Sequence, residues 1–244
     1  PRIAGVQHLD DRHQHYRAVL MQIGLGIGIP STQPQRWWPG GASLAFDFVN
    51  GRYMVNTNEV ALATALTFTR ASTAYRVNAS GLLESVAQDV LRRDFDPVTL
   101  ACRGALIEEA RTNLALHSEA VGSSFTPEGI TVSSDATTAP DDATTADKII
   151  EDGGASAWHR MNQGSITVAA GAQTFSIFVK QAERSKFFVD IYNGDGSYFA
   201  TLRGDAATGT WLSSATFTHH TPVELPDGWW RFSVTWTPAA TGAS

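Results

Sequence analysis

Short runs in which apolar and polar residues alternate recur along this chain, each closed by glycine, asparagine or aspartate. QTFSIFVK sets Phe175, Ile177 and Val179 on one side, RFSVTW sets Phe232, Val234 and Trp236 on one side, and SLAFDF does the same with Leu44, Phe46 and Phe48. A period of two is the pleat of a strand with one buried face. From Phe125 onward the candidates are GITVSS, ADKIIED, AWHRMNQ, SITVA, QTFSIFVKQ, FFVDIYN, SYFATL, GTWLSS and WWRFSVTW. Many short strands at such spacing predict an all-β fold with an antiparallel sandwich. The 244 residues, 43% of them hydrophobic, suffice to bury a core, and seven Trp favour strands over long helices.

The residues before this pattern read as an extended arm over 1–41. Ile23, Leu25, Ile27 and Ile29 alternate with Gly24, Gly26 and Gly28, giving a strand with one apolar face and one bare backbone face. Such a strand can add to a neighbouring sheet edge. The glycines are followed by Pro30 and not by a helix with a Lys-Ser/Thr pair, which argues against a phosphate loop. Pro30, Pro34 and Pro39 keep the chain extended, and Trp37 and Trp38 are two large anchors. These six apolar residues are the anchoring candidates: either they dock on a larger assembly or they wrap the chain's own domain. His8, His13 and His15 lie near Asp10 and Asp11, but their spacing sets no rigid metal face. No metal or other cofactor is expected.

A small β module is expected over 42–118. It turns at Asn50-Gly51, where both residues tolerate positive φ, and again between Asn78 and Gly81. ALTFTRAST is read as a strand running into AYRVNASGLL, SVAQDVLRRDF extends toward a turn start at Asp96-Pro97, and CRGALIEEARTNLALHS is an apolar strand with a charged return. The charges could be read as a general base at Glu108 or Glu109 with arginine anion clamps, but no His, Ser or Lys motif accompanies them. The preferred reading is a structural network of Arg70, Asp96, Glu108, Arg111 and Asn113 that pins the turns, because a planar guanidinium can satisfy carboxylates and loop carbonyls together. Cys102, the single cysteine, allows no intrachain disulfide and is read as a small apolar filler.

Phe68, Thr69, Arg70, Ser72 and Thr73, then Gly81, Asp96, Pro97, Gly104, Ile107, Glu108, Arg111, Thr112 and Asn113 carry a resemblance. This pattern resembles the head spike fibre domain of virion proteins from tailed phages and gene-transfer agents. The chain departs from it at LESVAQDVLRRDF, where a proline often precedes the Arg-Phe-Asp run. The region 119–244 resembles the jelly-roll domains similar to carbohydrate-binding modules that often follow it, through GWWRFSVTW and QTFSIFVKQAERS. That resemblance implies at least one further strand after the point where the chain stops. It also implies a non-enzymatic structural protein of the particle surface, assembled in the host cytoplasm, that decorates the capsid and adheres to host surface glycans.

The partners so implied are other virion proteins at a capsid vertex or spike base, or tail proteins if the chain is a tail fibre or baseplate accessory. Copies of itself are expected too, as a trimer or pentamer. A third possibility is a fragment of a polysaccharide-degrading enzyme. Since aromatic rings stack on sugars, Trp158, Tyr192, Tyr198 and Trp211 are the glycan candidates, with His159 and Arg160 as hydrogen-bonding neighbours. YNGDGSY reads as a hairpin turn and not a calcium loop. The net charge of -6 argues against nucleic acid. No segment has the apolar length of a membrane span, and the opening lacks the apolar stretch of a signal peptide. The change of composition at Met21 leaves open whether the residues before it precede the natural start.

Overall fold

The computed structural model describes residues 36–115, 117–154, 158–164, 166–168, 171–192, 198–213, 217–237 and 242–243. The alternating Ile23, Leu25, Ile27 and Ile29, the histidine cluster and the tip of YNGDGSY lie outside them. The fold is all-β: among the described residues the only α-helices are single turns at Leu62–Ala65 and Val121–Ser124. None is long and apolar enough to cross a membrane. The chain divides into two compact units, Pro1–Ser80 with Glu84–Ala110, and Gly81–Leu83 with Arg111–Ser244.

The first unit is built from strands of three or four residues: β1 (Leu44–Asp47), β2 (Arg52–Val55), β3 (Asn58–Val60), β4 (Ala74–Val77), β5 (Leu83–Val86), β6 (Arg93–Phe95) and β7 (Cys102–Ala105). They form three small sheets, β1-β2-β3, β4-β5 and β6-β7. Apolar cover comes from Met54, fully buried, and from the Phe46, Phe48 and Tyr53 rings, which pack within 5.7 to 6.3 Å of one another. Strands this short bury little, so side-chain hydrogen bonds must hold the connections.

Two local expectations are corrected. The β1–β2 connection is four residues long, and of the Asn50-Gly51 pair only Gly51 takes positive φ, at 69°. Asn50 instead closes the loop onto Asp47, donating from its backbone at 3.0 Å and its amide at 2.6 Å. ALTFTRAST is no strand: a helical turn is followed by irregular chain up to Ala74. The reason is at Arg70, whose backbone exchanges bonds with Asp89 and has no partner strand. In CRGALIEEARTNLALHS the strand is only Cys102–Ala105, and the charged return after it is irregular chain.

In the second unit, β8 (Thr126–Glu128) pairs with β11 (Arg160–Asn162), and β9 (Ile130–Thr137) pairs with β10 (Ala146–Glu151). The other strands are β12 (Thr167–Val168), β13 (Gln173–Lys180), β14 (Lys186–Tyr192), β15 (Tyr198–Asp205), β16 (Thr210–Ser213), β17 (Thr218–His219), β18 (Val223–Glu224), β19 (Trp229–Trp236) and β20 (Gly242–Ala243). One sheet runs β13-β19-β17, with β18 also on β19; the other runs β14-β15-β16; β12 pairs with β20. Their inner faces meet as in a β-sandwich. Leu202, Phe217 and Val234 form the buried centre, with Phe175, Val189, Ile191, Trp211 and Trp236 packed around it. Phe232 of β19 is 0% exposed and takes Phe187 of β14 and Trp211 of β16 edge-on, each 4.9 Å between centroids. The period-two pattern of β13 and β19 is therefore read correctly from sequence, because one face of each is buried.

Candidate functional site

In the first unit the chemistry is concentrated in arginines. Arg70 spreads its guanidinium over four carbonyls: it donates to Ser72 O at 2.7 Å, Val86 O at 2.8 Å and Val90 O at 3.1 Å, and to Ala87 O. Burial, with Arg92 nearby, lowers its pKa from the ordinary arginine value. Arg93 holds Phe48 O at 2.8 Å and Val49 O at 2.5 Å, tying the β1–β2 loop to β6. Arg92, only 5% exposed, donates to Tyr75 O at 2.8 Å and Glu108 Oε2 at 2.6 Å. Asp94, 6% exposed, accepts the Val77 amide at 2.9 Å.

Asp96 organises the β6–β7 turn. One oxygen accepts the amides of Val98 at 3.0 Å and Thr99 at 2.8 Å, and the other takes Arg103 at 2.6 Å. These bonds, the Thr99 amide foremost, hold its carboxyl at about 2. Asn113 accepts the Ala115 amide at 3.0 Å and donates to Ser118 Oγ at 3.3 Å. Arg70 thus serves the 86–90 carbonyls, Asp96 the β6–β7 turn, Glu108 the Arg92 guanidinium and Asn113 its own segment; Arg111 is exposed on the segment after Ala110. Arg92, Arg93 and Asp94, charges of the same stretch, carry as much of this framework; Arg76, which donates to Glu84 Oε2 at 3.0 Å and Arg93 O at 3.3 Å, is the member that sequence reasoning misses, since strand pairing and a backbone carbonyl place it. Cys102 is half-buried, with Sγ 3.6 Å from the Arg93 guanidinium.

Trp37 and Trp38 meet edge to face at 5.3 Å. Arg52 lies over Trp37 at 5.1 Å while its fork grips Glu59 at 2.9 and 3.2 Å. That grip raises the Arg52 pKa and lowers that of Glu59. Trp37 is thereby seated on its own unit.

The glycan candidates divide. Trp158 is 49% exposed and its ring carries the Arg160 guanidinium at 5.0 Å. Arg160 stands directly opposite Glu128 in the β8–β11 pair and donates to it at 2.7 Å, which raises its pKa; Tyr192 and Asp190 add weaker pulls in the same direction. Gly129, at φ +64°, lets the Trp158 carbonyl come close: a Cβ there would lie 2.3 Å from that oxygen. His159 lies 4.0 Å from Asp152. Tyr192, 41% exposed, ends β14, on the outward row with Phe188 and Asp190, whose carboxylate accepts Thr201 Oγ1–H. Tyr198 stands opposite Tyr192 in the backbone register.

Trp211 is apart from these, and its place is a correction. Its indole packs against the core centre, stacks on His219 at 5.0 Å and donates from Nε1 to His220 O at 3.1 Å. An indole so engaged on its faces and at its nitrogen is a packing residue. Burial lowers the His219 pKa beside it.

An exposed indole flanked by a guanidinium–carboxylate pair can stack on an apolar ring face and hydrogen-bond the hydroxyls at its rim. Glu128, Gly129 and Asp152 complete this surface, and no local motif announces them: Arg160 and Glu128 are 32 residues apart. Among the described residues no group of three or more His, Cys, Asp or Glu could hold a metal ion. Compared with known protein families and with curated proteins, the chain matches none.

Proposed function

We propose that this chain is a structural virion protein, a head spike fibre that decorates the capsid and adheres to host surface glycans through its second unit. The observation that carries the adhesion reading is the Trp158 surface, where an exposed indole, Arg160, Glu128 and the outward-facing Tyr192 supply stacking and hydrogen bonding together. The virion assignment rests on the resemblance carried by Phe68 to Thr73 and Asp96 to Asn113. The arginine-pinned turns of the first unit suit a scaffold, since each guanidinium ties together carbonyls that short strands leave unpaired. Repetition of the chain on a particle makes weak single sites sufficient.

Binding of the full chain, clustered on beads, to host cells and to purified host surface polysaccharide tests adhesion. Trp158→Ala is expected to weaken it about tenfold, the equivalent of ~1.4 kcal/mol, with an unchanged melting curve. Equal binding by the variant and the parent would remove this surface from the reading. Immunogold labelling of particles tests the attachment: label on heads is expected, and label confined to tails would overturn the head assignment.

A further inference from the structure

At one end of the second unit's sandwich an open, solvent-facing cavity of about 380 Å³ is lined by residues that include Lys180, Gln181, Ala206, Glu224, Asp227 and Trp230. Its size falls at the lower end of ligand pockets, roughly 300–1,000 Å³. The wall is assembled from four stretches of chain. Lys180 and Gln181 end β13, Ala206 begins the β15–β16 turn, Glu224 ends β18, and Asp227 lies in the turn leading to Trp230 on β19. Trp230 is fixed from behind by Gly209, whose backbone sits so close that an added Cβ would be 2.2 Å from the six-membered ring. That approach is open only because Gly209 takes φ +61° without a side chain.

Four of the nine lining residues end in polar groups. Among the described residues, the side chains of Lys180, Gln181, Glu224 and Asp227 make no hydrogen bond or ion pair within the chain, whereas Glu183 and Arg184, just after Gln181 in sequence, are paired with Lys148 and Glu151 at 2.7 and 2.8 Å. Gln181, Glu224 and Asp227 are exposed, so these polar ends face solvent and are open to a ligand beside the Trp230 ring. A cation would meet the Lys180 ammonium and an anion would meet two carboxylates. A neutral ring bearing several hydroxyls satisfies both signs, donating to Glu224 and Asp227 and accepting from Lys180 and Gln181.

We infer that this cavity is a binding site for a single neutral sugar ring, separate from the Trp158 surface. The inference rests on the glycan reading for its ligand class and gives the second unit a second contact point along one polysaccharide.

The test is a titration of the full chain with methyl glucoside, methyl galactoside and N-acetylglucosamine at millimolar concentration, followed by amide and indole nitrogen–proton correlation spectra. Adhesion to host polysaccharide is measured in parallel. The expected result is saturable shifts at Gln181, Ala206, Glu224 and the Trp230 indole N–H for at least one sugar. Glu224→Gln and Asp227→Asn, both exposed and free of structural bonds, should each weaken it about tenfold, and Trp158→Ala should leave it unchanged. The inference is overturned if none of the three sugars shifts these signals, or if the shifts are the same in both carboxylate variants. Intact adhesion with a silent cavity would sink the cavity and leave the adhesion reading; sugar-dependent cavity shifts without adhesion would do the reverse.

Discussion

At Asp96 one carboxylate accepts two backbone amides and an arginine, and its depressed pKa follows from those bonds. The folded value of about 2 lies below the ordinary 3.8, so its contribution is complete above the unfolded value and is lost as pH falls from 3.8 toward about 2. Asp96→Ala should cost roughly 1–3 kcal/mol at neutral pH and flatten the loss of stability over that acid window. Urea unfolding at a series of pH values measures both. Gly209 makes the opposite kind of demand, for absence. Gly209→Ala places a side chain at φ +61° and against the Trp230 ring, at a cost of about 1–2 kcal/mol from the backbone alone. A lowered melting temperature with altered tryptophan emission is the expected outcome.

The two units use their elements differently. β13 and β19 pair over eight residues, from Gln173 with Trp236 to Lys180 with Trp229, and their inner rows need only fit one another. In the first unit the strands are three or four residues long, and the loops between them are held by arginines reaching 16 to 45 residues along the chain. The grip of Arg93 on Phe48 O and Val49 O depends on a planar fork, so Lys is no equivalent. Arg93→Lys should cost roughly 1–3 kcal/mol, seen as a lower urea midpoint with an unchanged slope. The alternation of β13 and β19 was legible in the sequence, because a buried face imprints its period on the residues, whereas in β1 Leu44, expected on the apolar face, is exposed. The ALTFTRAST segment has the composition of a strand and is not one, because the backbone of its Arg70 bonds to Asp89 and to no neighbouring strand, which composition does not record.

At the scale of the whole molecule, each unit has its own buried centre: Met54 is fully enclosed in the first, and Leu202, Phe232 and Val234 in the second. Phe232→Ala removes the ring that Phe187 and Trp211 pack against and should destabilise that unit by about 3–5 kcal/mol, measured by thermal unfolding. The candidate surface shows the same division between pattern and arrangement. Trp158, His159 and Arg160 are adjacent in sequence and could be picked out together, whereas Glu128 and Asp190 join them only through strand pairing and sheet packing. Trp211 and Trp158 are alike as letters. One is spent on the core and the other is left half open, because Trp211 packs against the buried centre from β16 and Trp158 precedes the short strand β11, which pairs only with β8.

By itself the sequence determined the period-two strands, the Asp96 and Asn78 to Gly81 turns and the all-β class, since these depend on contacts between near neighbours and on one buried face. Only the tertiary structure decided which carbonyls the arginines hold, which tryptophans are exposed, and that Lys180, Gln181, Glu224, Asp227 and Trp230 surround one cavity. Backbone carbonyls are the same at every residue, and strand pairing joins positions without regard to their distance along the chain. Neither leaves a mark that a single sequence can show.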